Sequence, residues 1–124
     1  MTAACEVSPD DFFAGRPVAR AVFEEVCVIL ARFGPFEVRV TKSQASFRRR
    51  RAFAYLWMPG QYLTRPHAEV VLSIALGRYD PSERFKEVAH PVPRHWLHHL
   101  EIDTLRDLDD EVVDWLREAA ERAT

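Results

Sequence analysis

Two cysteines, four glycines and two lysines are all that these 124 residues hold of those types. Each scarcity excludes something. Cys5 and Cys27 form no C-x-x-C pair and offer no zinc-ligand spacing, so neither a thioredoxin-like redox motif nor a structural zinc site is expected. They read as reduced thiols of a cytoplasmic protein, with Cys27 packing as a small apolar residue. G-x-G-x-x-G, Walker A and G-x-S-x-G are missing, which argues against the common nucleotide-binding and hydrolase classes. No apolar run approaches the roughly 20 residues that cross a membrane. The amino terminus lacks the charged segment and apolar stretch of a signal peptide. No cofactor, metal or membrane partner is expected.

What remains is an ordinary globular composition, 48% hydrophobic and 29% charged, enough for one domain over residues 1–124 with a core of its own. The formal charge is only −2, so global basicity is excluded. Its placement is uneven. Residues 32–65 carry eight bases and one acid, for +7, whereas residues 99–124 carry nine acids and three arginines, for −6. Such asymmetry marks an anion-facing surface, or simply a basic hairpin beside an acidic helix. Arginine dominates the bases, which fits bidentate anion recognition or a high-GC genome equally well.

Helix signals come first. Ser8 can cap, Pro9 suits the first helical position and Asp11 places a carboxylate near free amides. Gly15 and Pro17 interrupt that helix, and Pro17 opens a second one to about Phe33. Its stripe of Val18, Val22, Val26, Ile29, Leu30 and Phe33 steps by threes and fours, and Gly34-Pro35 stops it. Alternation then takes over at Phe36, Val38 and Val40, followed by strands at about Gln44–Arg49 and Phe53–Met58. Val70–Leu76 is apolar throughout, as in a central strand covered on both faces. Arg94–Ile102 has two unlike faces, Trp96, His98, Leu100 and Ile102 against His95, Leu97, His99 and Glu101. Between these two strands a short helix near Pro81–Val88, capped by Asp80, is expected. An acidic amphipathic helix closes the chain, with Asp107 as cap and Leu108, Val112, Trp115, Leu116 and Ala119 as its stripe. The fold class is α+β, an antiparallel sheet of about five strands with N-terminal and C-terminal helices packed on it.

Three constellations could carry chemistry. Arg48, Arg49, Arg50 and Arg51 fall at the tip of a hairpin, near Phe47, Phe53, Tyr55 and Trp57. Charge interleaved with aromatics is the composition of a nucleic-acid platform. The alternative is a solvated loop whose aromatics belong to the core. Lys42 joins the anion-binding set. His95, His98, His99 and Glu101 crowd one strand, and His95, His99 and Glu101 share a face. Such a set could hold a divalent metal or do acid–base work, or it could serve in structural hydrogen bonds. Lys42-Ser43-Gln44 pairs a lysine with a serine, but adjacent extended residues point oppositely, and a polar turn is the better reading.

In order and spacing, Phe13-Ala14-Gly15-Arg16-Pro17, Gly34-Pro35, Lys42-Ser43-Gln44, the arginine run, Phe53-Ala54, His98-His99-Leu100-Glu101 and Asp109-Asp110-Glu111 resemble an uncharacterised bacterial family, domain of unknown function 5655. The resemblance spans nearly the whole chain and implies no particular activity. The strand order, the Trp96–Glu101 strand and the closing helix are also similar in architecture to MmcQ/YjbR-like double-wing proteins. That likeness implies DNA binding, with the basic hairpin as one wing. The function expected is a small cytoplasmic binding module that contacts an anionic partner, nucleic acid, through the hairpin. The alternatives are an enzyme or metal-dependent protein using the histidine strand, and a homodimeric interaction module. The dimer follows if the sheet's second face is not closed by residues 61–66 and 77–93, with Tyr62, Leu63, Tyr79 and Phe85.

Overall fold

Ser8 opens the fold as its sequence requires. Its Oγ accepts the Asp11 N–H at 3.0 Å, and Pro9 begins helix α1, Pro9–Phe12. The computed structural model describes residues 7–61 and 68–124. Cys5, Tyr62, Leu63, Arg65 and His67, with the closure expected of residues 62–66, lie outside the described residues. Helix α2 runs Pro17–Ala31 and buries Val22, Val26, Ile29 and Leu30. Arg16 offers its first turn no side-chain cap; instead the Ala19 N–H donates to the Glu69 carboxylate at 3.2 Å, an anion where the helix dipole favours one.

The sheet follows: β1 Glu37–Val40, β2 Ala45–Arg48, β3 Ala52–Trp57, β4 Val70–Leu76, β5 Glu87–Val92 and β6 His95–Ile102. All pairings are antiparallel, in the order β1-β2-β3-β4-β6-β5. Six strands stand where about five were expected. The additional one is β5; the expected short helix near Pro81–Val88 is absent, and a turn over residues 81–86 leads into β5 instead. Pro91 sits inside it, which a strand tolerates only at an edge or a bulge, and β5 offers both. Asp80 caps no helix, but its Oδ1 accepts the Ser82 N–H at 2.9 Å and shapes the turn before β5.

Every residue of β4 is buried. Helix α3, Asp110–Arg122, lies along it with Val112, Trp115, Leu116, Ala119 and Ala120 turned inward. Its cap is Asp109, whose side chain accepts the Val112 N–H at 3.2 Å. Asp107, the expected cap, closes the preceding 3-10 turn by accepting the Asp103 and Thr104 N–H groups. Phe12, Phe13, Phe23 and Phe47 pass edge and face contacts from α1 to β2, with centroids 4.8, 5.0 and 5.9 Å apart in succession. The helices cover one face of the sheet. On the other, cross-strand register sets Tyr55, Ser73 and His99 in one row across β3, β4 and β6.

Candidate functional site

The arginine run does not splay as one unit. Arg49 N–H donates to Arg51 O at 3.1 Å, tightening the β2–β3 turn. The Arg49 guanidinium then reaches the two helix ends: it donates to Phe33 O just past α2, to Ala120 O at 3.2 Å, and to Thr124 Oγ1 at 3.0 Å. The last carbonyls of a helix lack intrahelical donors, and Arg49 supplies them. Its Nε is buried without a partner among the described residues. Arg50 is exposed, and its backbone N–H takes Ala123 O at 2.9 Å. Arg51 is exposed and donates to Arg122 O at 3.3 Å. The hairpin is thus docked on the end of α3. Arg49 is a structural clamp, whereas Arg50 and Arg51 still present charge to solvent. Arg48 is half-buried, and Lys42 sits in the β1–β2 turn, a full strand away from the others.

Two arginines distant in sequence join Arg51. Pro93-Arg94 makes the β5–β6 turn, with Arg94 at φ 64°, in the left-handed region. Arg122, in the last turn of α3, crosses the end of β4 and donates to Arg94 O. Gly77 leaves it room, since a Cβ there would stand 2.8 Å from Arg122 Nε. Arg51, Arg94, Arg122 and His95 line a hollow of about 610 Å³, with no acid among the described residues of its wall. Arg50, Arg51 and Arg122 border an adjoining one of about 350 Å³. The charges act on each other: burial and then the Arg51 charge hold Arg122 below the ordinary guanidinium range. Burial, then Arg122 and Arg51, hold His95 below the usual imidazole value. Among the described residues the ion pairs engage Arg20, Arg78, Arg84, Lys86 and Arg117, and none of the arginines at this end. Sequence reading missed Arg94 and Arg122; the only local signal was an arginine following proline at a turn.

The histidines do not converge. His95 belongs to the arginine end. His98 is fully buried on the helix side; its Nε2 accepts the Asp80 N–H at 3.0 Å and its Nδ1 lies 3.2 Å from Trp96 O. His99 faces the other way, and Glu101 pairs with Lys86 at 3.6 Å. Among the described residues no three His, Cys, Asp or Glu side chains stand close enough to hold a metal ion. Cys27 is half-buried, its thiol pushed up to about 11 by burial and by Glu24, which leaves it protonated at neutral pH.

A second hollow, of about 440 Å³, lies on the helix-free face, lined by Tyr55, Trp57, Ser73, Leu97 and His99, with Ser43 and Gln44 at its edge. Ser73 is buried, and its Oγ stands 2.8 Å from Trp57 Nε1 and 2.7 Å from His99 Nδ1. An indole N–H can only donate, so Ser73 accepts it, and the hydroxyl meets His99 Nδ1 on its other side, as donor or as acceptor according to the imidazole tautomer. The contact fixes the orientation of the His99 ring. Burial holds its pKa below the usual imidazole value, which favours the neutral ring.

The family described as Domain of unknown function (DUF5655) matches residues 9–122. The chain belongs to this family. The match runs from α1 to the last turn of α3 and takes in the residues that line the 610 Å³ and 440 Å³ hollows. No curated protein and no solved structure matches the chain. Among the described residues no helix is long and apolar enough to cross a membrane.

Proposed function

We propose that this chain is a cytoplasmic, non-catalytic binding module that takes phosphate groups of a nucleic acid at the arginine-lined end of its sheet. The observation that carries the reading is the hollow between Arg51, Arg94, Arg122 and His95, whose wall holds no acid among the described residues. Like charges gathered without counter-charge cost stability unless an anion offsets them, and guanidinium groups suit phosphate oxygens by their planar donor geometry. Arg94 adds to this. A non-glycine residue in the left-handed region costs of order 1 kcal/mol, and here that strain points an arginine into the hollow's rim. The net charge of −2 makes long-range attraction weak, so capture depends on contact at this end.

An enzyme reading draws on the short Ser73–His99 contact. Ser73, however, is buried and its hydroxyl is already engaged on both sides. The pair orients His99 and does not free a nucleophile.

A labelled single-stranded oligonucleotide, titrated at several salt concentrations, tests the proposal. Four phosphate contacts, from Arg50, Arg51, Arg94 and Arg122, at roughly 0.7 counterions each give a log–log slope of about −3. A slope near zero, or affinity unchanged in Arg94→Gly, refutes it.

A further inference from the structure

We infer that the groove on the helix-free face receives an unpaired base, so that the nucleic acid bound at the arginine end is single-stranded. This rests on the reading just given and narrows it. The arginine hollow lies at the end of the sheet, where α3 and the β5–β6 turn meet, and strand β6 runs from it to the groove. His99 lines the groove and His95 the hollow; they stand four positions apart on β6, about 13 Å at roughly 3.3 Å per residue. Leu97 lies between them and lines the groove. A single strand held by its phosphates at Arg51, Arg94 and Arg122 can therefore lay a nearby base beside Tyr55.

Three features of the groove match a base. Tyr55 is half-buried and offers a ring for stacking, which every base accepts. Trp57 is held in place by its hydrogen bond to Ser73, and its ring stands edge-on to His99 at 5.9 Å and 87°. The platform is thus formed before any ligand arrives, which lowers the entropic cost of binding. His99, its ring oriented by Ser73, supplies an imidazole that can hydrogen-bond a base edge, and Gln44 supplies an amide at the rim. A duplex meets none of this, because its bases are stacked and paired and its edges lie within grooves.

The test compares oligothymidylate and oligouridylate of about 12 nucleotides, within the span of a one-domain site, with a duplex of equal length and with heparin. The wild-type protein, Tyr55→Ala, Trp57→Phe and Arg94→Gly are titrated with each. Expected are single-strand affinity at least about 10-fold above duplex, and a roughly 10-fold loss in Tyr55→Ala that leaves heparin binding unchanged. Quenching of wild-type tryptophan emission by oligothymidylate, diminished in Trp57→Phe, reads the same contact independently of Tyr55→Ala. Either the ribose or the deoxyribose strand binding tighter supports the inference and identifies the source of the base. Equal affinity for duplex and single strand, with only Arg94→Gly impaired, overturns the inference and leaves the phosphate reading standing. No binding of any polyanion overturns both. Light scattering at twice 14.4 kDa, lost on Tyr55→Ala, gives the groove to a second copy of this chain and also overturns it.

Discussion

Gly77 and Arg122 share one space: a Cβ on residue 77 would stand 2.8 Å from Arg122 Nε and 3.2 Å from its Cδ. The end of β4 is bare where the α3 arginine crosses it, and the crossing delivers the guanidinium to Arg94 O. Neither residue is informative alone. A glycine ending an apolar strand and an arginine ending an acidic helix become a site only through the packing of α3 on β4.

Gly77→Ala should therefore separate binding from folding. The obstructed atoms belong to a long side chain that can swing away, so stability should change by no more than about 1 kcal/mol. Arg122 would leave the hollow, and phosphate affinity should drop several-fold. Urea denaturation alongside an oligonucleotide titration checks both halves. A large loss of stability would show that Arg122 cannot move.

Arg94→Gly should lose affinity while stability holds or rises. Glycine adopts φ near 64° without the steric cost that arginine bears there, which offsets its greater freedom in the unfolded chain. A melting temperature equal to or above wild type, with binding weakened, is the expected pair of results. A clear fall in melting temperature would mean that the Arg94 side chain supports the fold.

Much of the architecture was legible in the sequence, and the exceptions have physical causes. Ser8, the apolar stripes of α2 and α3, and the wholly buried β4 obey local rules and stand as expected. Strand β5 was hidden because an edge strand needs little apolar alternation, and Pro91 with its charged neighbours reads as loop. Asp107 and Asp109 both cap, two residues apart, and only the geometry of the 3-10 turn tells which serves α3. The arginine run was visible, but Arg49's commitment to two helix ends depends on where those helices stop. Ser73 and His99 meet only through the β4–β6 register, which nothing local encodes.

Trp115 fastens α3 to the segment before β5. It is 5% exposed, its ring centroid lies 4.5 Å from that of Phe85, and its Nε1 donates to Asp80 Oδ2 at 3.0 Å. Arg78 binds the same carboxylate oxygen and pairs with Glu118. Trp115→Ala should cost roughly 3–5 kcal/mol as a large-to-small core change, and Trp115→Phe less, since it keeps the packing and loses the bond to Asp80. A chemical-denaturation cost under about 1 kcal/mol for the alanine variant would contradict this packing.

Acid should weaken the fold in two stages, and His98 governs the first. Burial holds its pKa below 6.5 in the folded chain, despite hydrogen bonds to backbone that act the other way. His95 and His99 are lowered as well, in both cases chiefly by burial. The unfolded chain titrates these rings near their ordinary value of about 6.5. Above that pH both states are neutral and the contribution is fully present; below it the unfolded chain takes up protons first, so stability falls with pH. The second stage lies below about pH 4. Asp80 stays under its usual 3.8 although burial opposes this, because Ser82, Arg78 and Trp115 bond its charged form, and Asp109 is lowered chiefly by Arg84. Urea midpoints measured from about pH 8 to pH 5 should decline, and His98→Gln should flatten the decline, since an amide can accept from the Asp80 N–H without taking a proton. An unchanged slope in that variant would assign the first stage to His95 and His99.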